Sequence, residues 1–171
     1  AGRGAVRLMS HEDSTSRIKW IRKTIQRQGC VVVEPWYRRL ADLSYQFSLR
    51  EDGQVDTLGV THFFTDVSGR YRGTVLGPLA TGLSPKVRRF IYQGATENDW
   101  VVSVCESIVA SLACALRRVG YRGRAGIDFM VIQDQDGSMK LRIPLELNCR
   151  TTMGHIALRL RTRVGPRSVG L

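Results

Sequence analysis

The sequence of 171 residues has few cysteines, no long apolar run and a deficit of acidic residues. The four cysteines are Cys30, Cys105, Cys114 and Cys149. None of them form a Cys-x-x-Cys pair, which disfavours a zinc or redox site. No apolar run approaches the roughly 20 residues that cross a bilayer. The first ten residues contain no apolar core of a secretory signal. We therefore expect a protein of the reducing cytoplasm without a membrane partner.

The residues that are present indicate one globular domain with a basic character. Hydrophobic residues make up 43% and charged residues 24%, which are values typical of chains that bury a core. The net charge of +11 attracts polyanions, so nucleic acid and a nucleoside triphosphate both remain candidate ligands. The arginines are spread along the chain and form no single block, which disfavours a nucleic-acid stripe.

Hydrophobic periodicity predicts an α+β fold in which helices alternate with antiparallel strands. The predicted helices cover residues 16–28, a short segment after Ser84-Pro85, 97–119 and 154–163. A buried strand is predicted at 30–34, a three-strand meander at 43–49, 55–65 and 70–76, and a hairpin at 125–132 and 141–150. Cys105 and Cys114 are expected in the core, and Cys149 is expected to pack.

The hairpin carries the most distinctive polar residues of the chain. Asp128 lies on its first strand, and Glu146 and Asn148 lie two residues apart on the second, so that these two share a face. Three oxygen-bearing side chains on neighbouring strands suit a hard cation such as Mg²⁺ with phosphates as further ligands. The alternative is a set of polar residues at a solvated strand end.

The order of elements and two motifs resemble the ATP-grasp superfamily, and more narrowly the latter half of such an enzyme. The motifs are Gly126-Ile127-Asp128-Phe129 and, one hairpin later, Glu146-Leu147-Asn148-Cys149-Arg150. The resemblance implies an antiparallel sheet flanked by helices, with ATP and Mg²⁺ or Mn²⁺ as cofactors. It makes Asp128, Glu146 and Asn148 metal ligands and gives Arg150 a catalytic contact with phosphate or substrate. An ordinary surface arginine is the alternative for Arg150.

The resemblance also places the nucleotide base. The segment Val33-Glu34-Pro35-Trp36-Tyr37 is similar to the hinge that binds adenine, where Val33 and Glu34 would meet the base edge and Trp36 and Tyr37 would offer rings for stacking. Asp42 is the nearest match to the acidic residue that binds ribose. An aromatic pair covering a strand end and a solvated loop carboxylate are the alternatives.

Gly2-Arg3-Gly4 resembles the tail of the family's glycine-rich phosphate loop. The phosphate-binding lysines expected upstream are not in the sequence, so we expect an N-terminal part of the same protein to be missing. On this interpretation residues 1–34 end the small ATP-grasp subdomain, 35–163 form the C-terminal lobe with the metal site, and 164–171 are a tail or linker.

The expected function is ligation of a small-molecule carboxylate to an amine, driven by Mg-ATP through an acyl phosphate. The alternative is a non-catalytic basic module that binds nucleotide or nucleic acid. No Ser/His/Asp or Cys/His arrangement indicates a protein nucleophile. His155 is expected to cap or pack a helix start, with a catalytic base as the alternative, and His62 is given no role.

Overall fold

The computed structural model describes residues 15–67, 69–93 and 99–164. The chain divides into two compact units, Ala1–Tyr37 and Arg38–Leu171. The described residues form four helices: α1 (Thr15–Gln28), α2 (Pro85–Tyr92), α3 (Asp99–Arg118) and α4 (Met153–Val164). They form five strands: β1 (Arg38–Leu49), β2 (Val55–Thr65), β3 (Tyr71–Thr74), β4 (Gly123–Gln133) and β5 (Met139–Asn148).

In the first unit, helix α1 confirms the helix predicted at residues 16–28. Gly29 ends it in a left-handed conformation with φ of 83°, and its N–H donates to the carbonyl of Ile25. The strand predicted at 30–34 is wrong, because Val32 and Val33 are 83% and 79% exposed and the segment has no regular structure. A strand needs a hydrogen-bonded partner, and none pairs with this segment in the part of the unit that is described.

The second unit is built on a five-stranded antiparallel sheet in the order β3-β2-β1-β4-β5. The predicted meander and hairpin are both confirmed, and β1 joins them by pairing with β4. The turn of the β4–β5 hairpin closes where the N–H of Gly137, with φ of 81°, donates to the carbonyl of Asp134 at 3.0 Å. The observed architecture is therefore the predicted α+β arrangement.

One face of this sheet forms the core. Alternate residues of the paired strands β1 and β4 are completely buried on this face: Leu43, Tyr45, Phe47, Ala125, Ile127 and Phe129. Helix α3 presents a stripe of buried residues spaced by four, Val101, Cys105 and Val109, to the same cluster. Ile91 of α2 is also fully buried.

Helix α3 corrects one expectation from composition. Trp100–Arg118 is long and apolar enough to cross a membrane by length and composition alone, with a mean hydropathy of 1.6. Its buried stripe belongs to the core, although only 28% of this apolar segment is buried.

The cysteines divide differently from the prediction. Cys105 is completely buried, as predicted, and burial raises the pKa of its thiol to about 12. Cys114 and Cys149 are exposed, so the expectation that they pack was wrong. Cys114 lies nine residues after Cys105, which rotates it away from the buried stripe of α3.

Candidate functional site

The second face of the sheet carries a run of polar side chains. Asp42, Ser44 and Gln46 alternate along β1 with the core residues, so they point away from α3. Ser44 lies opposite Asp128 on β4, and Asp128 lies opposite Glu146 on β5. Helix α4 packs against β1, β2 and β3. The polar residues of three adjacent strands thus meet beside the start of α4.

The structure brings Asp128, Glu146 and Asn148 onto one surface. Asn148 follows Glu146 by two residues, lies opposite Gly126 and is only 7% exposed. Its Nδ2 donates to Asp128 Oδ2 at 3.1 Å, so its side chain points to the same face as Asp128. The hairpin register therefore produces the convergence that the sequence predicted, while binding of a metal by these residues stays a prediction.

Both oxygens of Asp128 accept hydrogen bonds. The Ser44 hydroxyl donates to Oδ1 at 2.6 Å, and the Asn148 amide donates to Oδ2. Arg150, which is exposed, donates from a guanidinium nitrogen to Asn148 Oδ1 at 2.9 Å. Arg150 is thus linked to the Asp128 carboxylate through Asn148. Its guanidinium has further N–H donors that can bind an anion from solution.

Burial raises the pKa of the Asp128 carboxyl above its ordinary value of 3.8. The hydrogen bond from Ser44 opposes this shift, the neighbouring Glu146 carboxylate adds to it, and Asn148 and Arg150 lower it again. Asp128 is half-buried and the opposing Glu146 is exposed, so a cation beside them would offset both the hydration that Asp128 has lost and the repulsion between the two carboxylates.

The donor set fits a hard divalent cation. Two carboxylates supply oxygen ligands, and each Asp128 oxygen has lone-pair capacity beyond the hydrogen bond that it accepts. The Asn148 amide turns its nitrogen to Asp128 and its oxygen to Arg150, so it would supply a third ligand once its oxygen turns towards the cation. Across residues 15–67, 69–93 and 99–164, no group of three His, Cys, Asp or Glu side chains is placed to hold a metal ion. The third member here is an asparagine, so phosphate oxygens or water would have to complete the coordination.

Asp42 shares the polar face but is already engaged. Its Oδ2 accepts a hydrogen bond from the Thr65 hydroxyl at 2.6 Å and lies 3.7 Å from Arg39. It precedes Ser44 by two residues, which places it diagonally from Asp128 across the β1–β4 pair. Its predicted contact with ribose stays a prediction.

The predicted base-binding residues lie in the first unit. Val33, Glu34 and Trp36 are exposed, with Trp36 at 46%, and Tyr37 is half-buried. Gly2, Arg3 and Gly4 lie outside the described residues. Binding of adenine or phosphate by either segment therefore stays a prediction.

The sequence did not predict the residues that hold the Asp128 carboxylate in place. Gln46 is fully buried, Thr152 lies at the start of α4, and Ser44 contacts Asp128 directly. The alternation of polar residues through Asp42, Ser44 and Gln46 between buried apolar neighbours was the available signal, because it marks a second structured face.

His155 packs as expected. It is 6% exposed, its Nδ1 accepts from the Thr152 N–H at 3.2 Å, and its Nε2 lies 3.4 Å from the Phe47 carbonyl. With Nδ1 accepting, Nε2 carries the proton of a neutral ring. His62 is also buried and places Nδ1 3.1 Å from the carbonyl of Thr81.

Two solved structures show a partial likeness to this chain. One is biotin carboxylase from Campylobacter jejuni in complex with β,γ-ATP, at 14% identity and a TM-score of 0.48, covering 84% of this chain and 27% of that one. The other is the biotin carboxylase domain of 2-oxoglutarate carboxylase from Hydrogenobacter thermophilus, in complex with MgADP, ADP and bicarbonate. It has 14% identity and a TM-score of 0.48, covering 86% of this chain and 30% of that one. No family model and no curated protein matches the sequence.

The chain spans less than a third of the length of these structures. Biotin carboxylase belongs to the ATP-grasp superfamily that the motifs resemble. At this identity and TM-score the likeness carries no inference about this chain. The chain's own elements are, in order, a three-strand meander, a long helix and the Asp…Glu-x-Asn hairpin.

Proposed function

We propose that this chain is part of an ATP-grasp enzyme that binds Mg²⁺ or Mn²⁺ with the phosphates of ATP on the polar face of its sheet. The observation that carries the proposal is the register that sets Asp128 against Glu146 and bonds Asn148 to Asp128. Partial burial of Asp128 is the main cause of its raised pKa, and repulsion from the Glu146 carboxylate adds to it, so a cation beside both carboxylates would be favoured.

In the proposed reaction Asp128, Glu146 and Asn148 would hold the cation, which would offset phosphate charge, and Arg150 would provide donors for a phosphate or carboxylate oxygen. Phosphoryl transfer to a substrate carboxylate would form an acyl phosphate, and an amine would displace the phosphate. This chemistry needs positioning and charge stabilisation and no protein nucleophile. The buried, neutral His155 and the exposed Cys149 have no part in it.

A titration with a fluorescent ATP analogue, with Mg²⁺ and with a chelator, tests the binding step. We expect binding that requires Mg²⁺ and is lost in Glu146→Gln, which removes one charge at constant shape. Release of inorganic phosphate in a screen of carboxylates paired with amines or peptides tests the reaction. Mg²⁺-independent binding, or equal binding by Glu146→Gln, would contradict the proposal.

The non-catalytic alternative makes a different prediction in the same experiments. A module that only binds nucleotide would retain Mg²⁺-dependent affinity but release no phosphate with any acceptor. A nucleic-acid module would bind oligonucleotides with an affinity that falls steeply as salt rises, because bound counterions are released.

A further inference from the structure

The side-chain amide of Gln46 lies in a small polar space between β4 and the start of α4 and next to Ser44, which contacts Asp128. Gln46 is fully buried on β1. A Cβ at Gly126 would lie 2.8 Å from its Oε1, and a Cβ at Gly154 would lie 2.7 Å from its Cδ and closer still to its Nε2. The Gln46 amide therefore lies between β4 and α4, and each of these elements has a glycine at the point of contact, where a larger residue would collide with the amide.

Both ends of the amide are hydrogen-bonded, and the bonds run in one direction. Thr152 Oγ1 shares its one proton between Gln46 Oε1 at 2.7 Å and His155 Nδ1 at 2.9 Å, and Gln46 Nε2 donates to Ser44 Oγ at 2.6 Å. Ser44 Oγ then donates to Asp128 Oδ1 at 2.6 Å. Since each hydroxyl has one proton, accepting from Gln46 leaves the Ser44 proton aimed at Asp128. The four residues form a chain of donors that ends on the carboxylate.

The far end of this chain lies in the segment that carries Arg150. Thr152 follows Arg150 by two residues, and its N–H donates to His155 in the first turn of α4. Arg150 itself bonds to Asn148, which bonds to Asp128. The segment after β5 is thus tied to Asp128 by two routes, one through Asn148 and one through Gln46.

We propose that Gln46 and Thr152 are positioning residues of the cation site: they fix the Asp128 carboxylate and hold the Arg150 segment beside it. This inference rests on the proposed function, because it assumes that Asp128 binds the cation. Neither residue needs to touch cation or nucleotide. Residues that orient a metal ligand by hydrogen bonds typically change metal affinity by about 10- to 100-fold when they are removed.

The alternative is that the same bonds only stabilise the fold. In that case removing one would lower stability and leave cation affinity in the folded protein unchanged. Thr152→Val separates the two roles, because it removes the hydroxyl, with its contacts to Gln46 and His155, at nearly constant shape and lies outside the ligand set. Thr57→Val is the matched control, since the Thr57 hydroxyl makes a comparable bond of 2.8 Å to Tyr45 on β1, outside this chain of bonds.

The experiment measures Mn²⁺ affinity of the 171-residue chain by electron paramagnetic resonance, with ADP present, and thermal unfolding of each variant. We expect Thr152→Val to weaken Mn²⁺ binding about tenfold or more, Thr57→Val to leave it unchanged, and Thr152→Ser, which keeps the hydroxyl, to recover most of the lost affinity. Gln46→Met, which keeps the length of the side chain but removes the hydrogen-bonding amide, should weaken Mn²⁺ binding as Thr152→Val does. It takes the place of Thr152→Val if that variant does not fold.

A double-mutant cycle with Ser44→Ala tests the route of the effect. If Thr152 acts through Gln46 and Ser44, Thr152→Val should cost little further affinity once Ser44 is alanine. Wild-type Mn²⁺ affinity in folded Thr152→Val and Gln46→Met would overturn this inference and leave the proposed function intact. Absence of Mn²⁺ binding by the wild type, or equal binding by Glu146→Gln, would instead overturn the proposed function and the inference with it.

Discussion

At the scale of single residues, small and polar side chains determine how the candidate site is held. Gln46 is as completely buried as the phenylalanine next to it on β1. A polar side chain is tolerated when fully buried only if its donors and acceptors are hydrogen-bonded. Ser44 and Thr152 provide these hydrogen bonds to the Gln46 amide. The space for the amide comes from Gly126 and Gly154, so these glycines are part of the site.

Gly154→Ala should destabilise the protein by about 1–3 kcal/mol, although alanine favours helices, because the new methyl group would collide with the Gln46 amide and with Thr61. Urea unfolding measures the change. In a Gln46→Ala background the two closest contacts are absent and the one with Thr61 remains, so the same substitution should cost less. An equal cost in both backgrounds would show that the collision is not the cause.

Thiol reactivity should separate the cysteines by burial. Cys105 is buried with a pKa raised to about 12, whereas Cys30, Cys114 and Cys149 are exposed. We expect iodoacetamide near pH 8 to modify those three in the native protein and all four after denaturation, as read by peptide mass spectrometry. Rapid native modification of Cys105 would contradict the packing of α3 against the sheet.

At the scale of elements, the β4–β5 hairpin positions the candidate ligands, and helices α2 and α3 cover the opposite face of the sheet. A slip of one residue between these strands would turn Glu146 and Asn148 away from Asp128. The turn through Asp134 and Gly137 fixes that register. The core below it depends on apolar residues of α2 and α3 that pack against β1 and β4.

Ile91→Ala in α2 should lower the free energy of unfolding by about 2–5 kcal/mol, because Ile91 is completely buried. Ile156→Ala in α4 is the matched control, since Ile156 is 42% exposed, and should cost much less. Chemical denaturation of both variants provides the comparison. Similar losses would show that α2 is not docked as described.

Most of these elements were predictable from the sequence because their signals are local. Alternation and turn residues such as Asp134 and Gly137 fix the hairpin, and they placed Asp128, Glu146 and Asn148 on one face. The pairing of β1 with β4 joins residues 84 apart, Ser44 and Asp128, and no local pattern specifies it. The strand at 30–34 was mispredicted because β-branched composition cannot show whether a partner strand is present.

At the scale of the whole molecule, the net charge of +11 and the buried histidines set the dependence on solution conditions. The positive charge attracts nucleotides at long range and also any other polyanion, so it does not identify the ligand. The two carboxylates of the candidate site are therefore more informative than the surrounding positive field, because polyanions do not bind to carboxylates without a cation between them.

The stability of the fold should fall in mild acid. Burial lowers the pKa of His62 and His155 below 6.5, although bonds to backbone carbonyls oppose the shift. From pH 6.5 down through the lowered pKa values the unfolded chain binds more protons, so stability is lost as pH falls through that window. The loss should reach up to about 1.4 kcal/mol per pH unit for each histidine. Urea unfolding at several pH values measures this slope, and an unchanged slope in His62→Gln would eliminate His62 as a source.

The most direct test of the cation site is its location by paramagnetic broadening. Substoichiometric Mn²⁺ with ATP, added to the ¹⁵N-labelled chain, should broaden the backbone amide signals of Asp128, Glu146 and Asn148 first. The signals of Gln133 and Met139, paired at the other end of the same hairpin, should broaden later. Uniform broadening, or broadening that begins away from Asp128, would contradict a cation site formed by Asp128, Glu146 and Asn148.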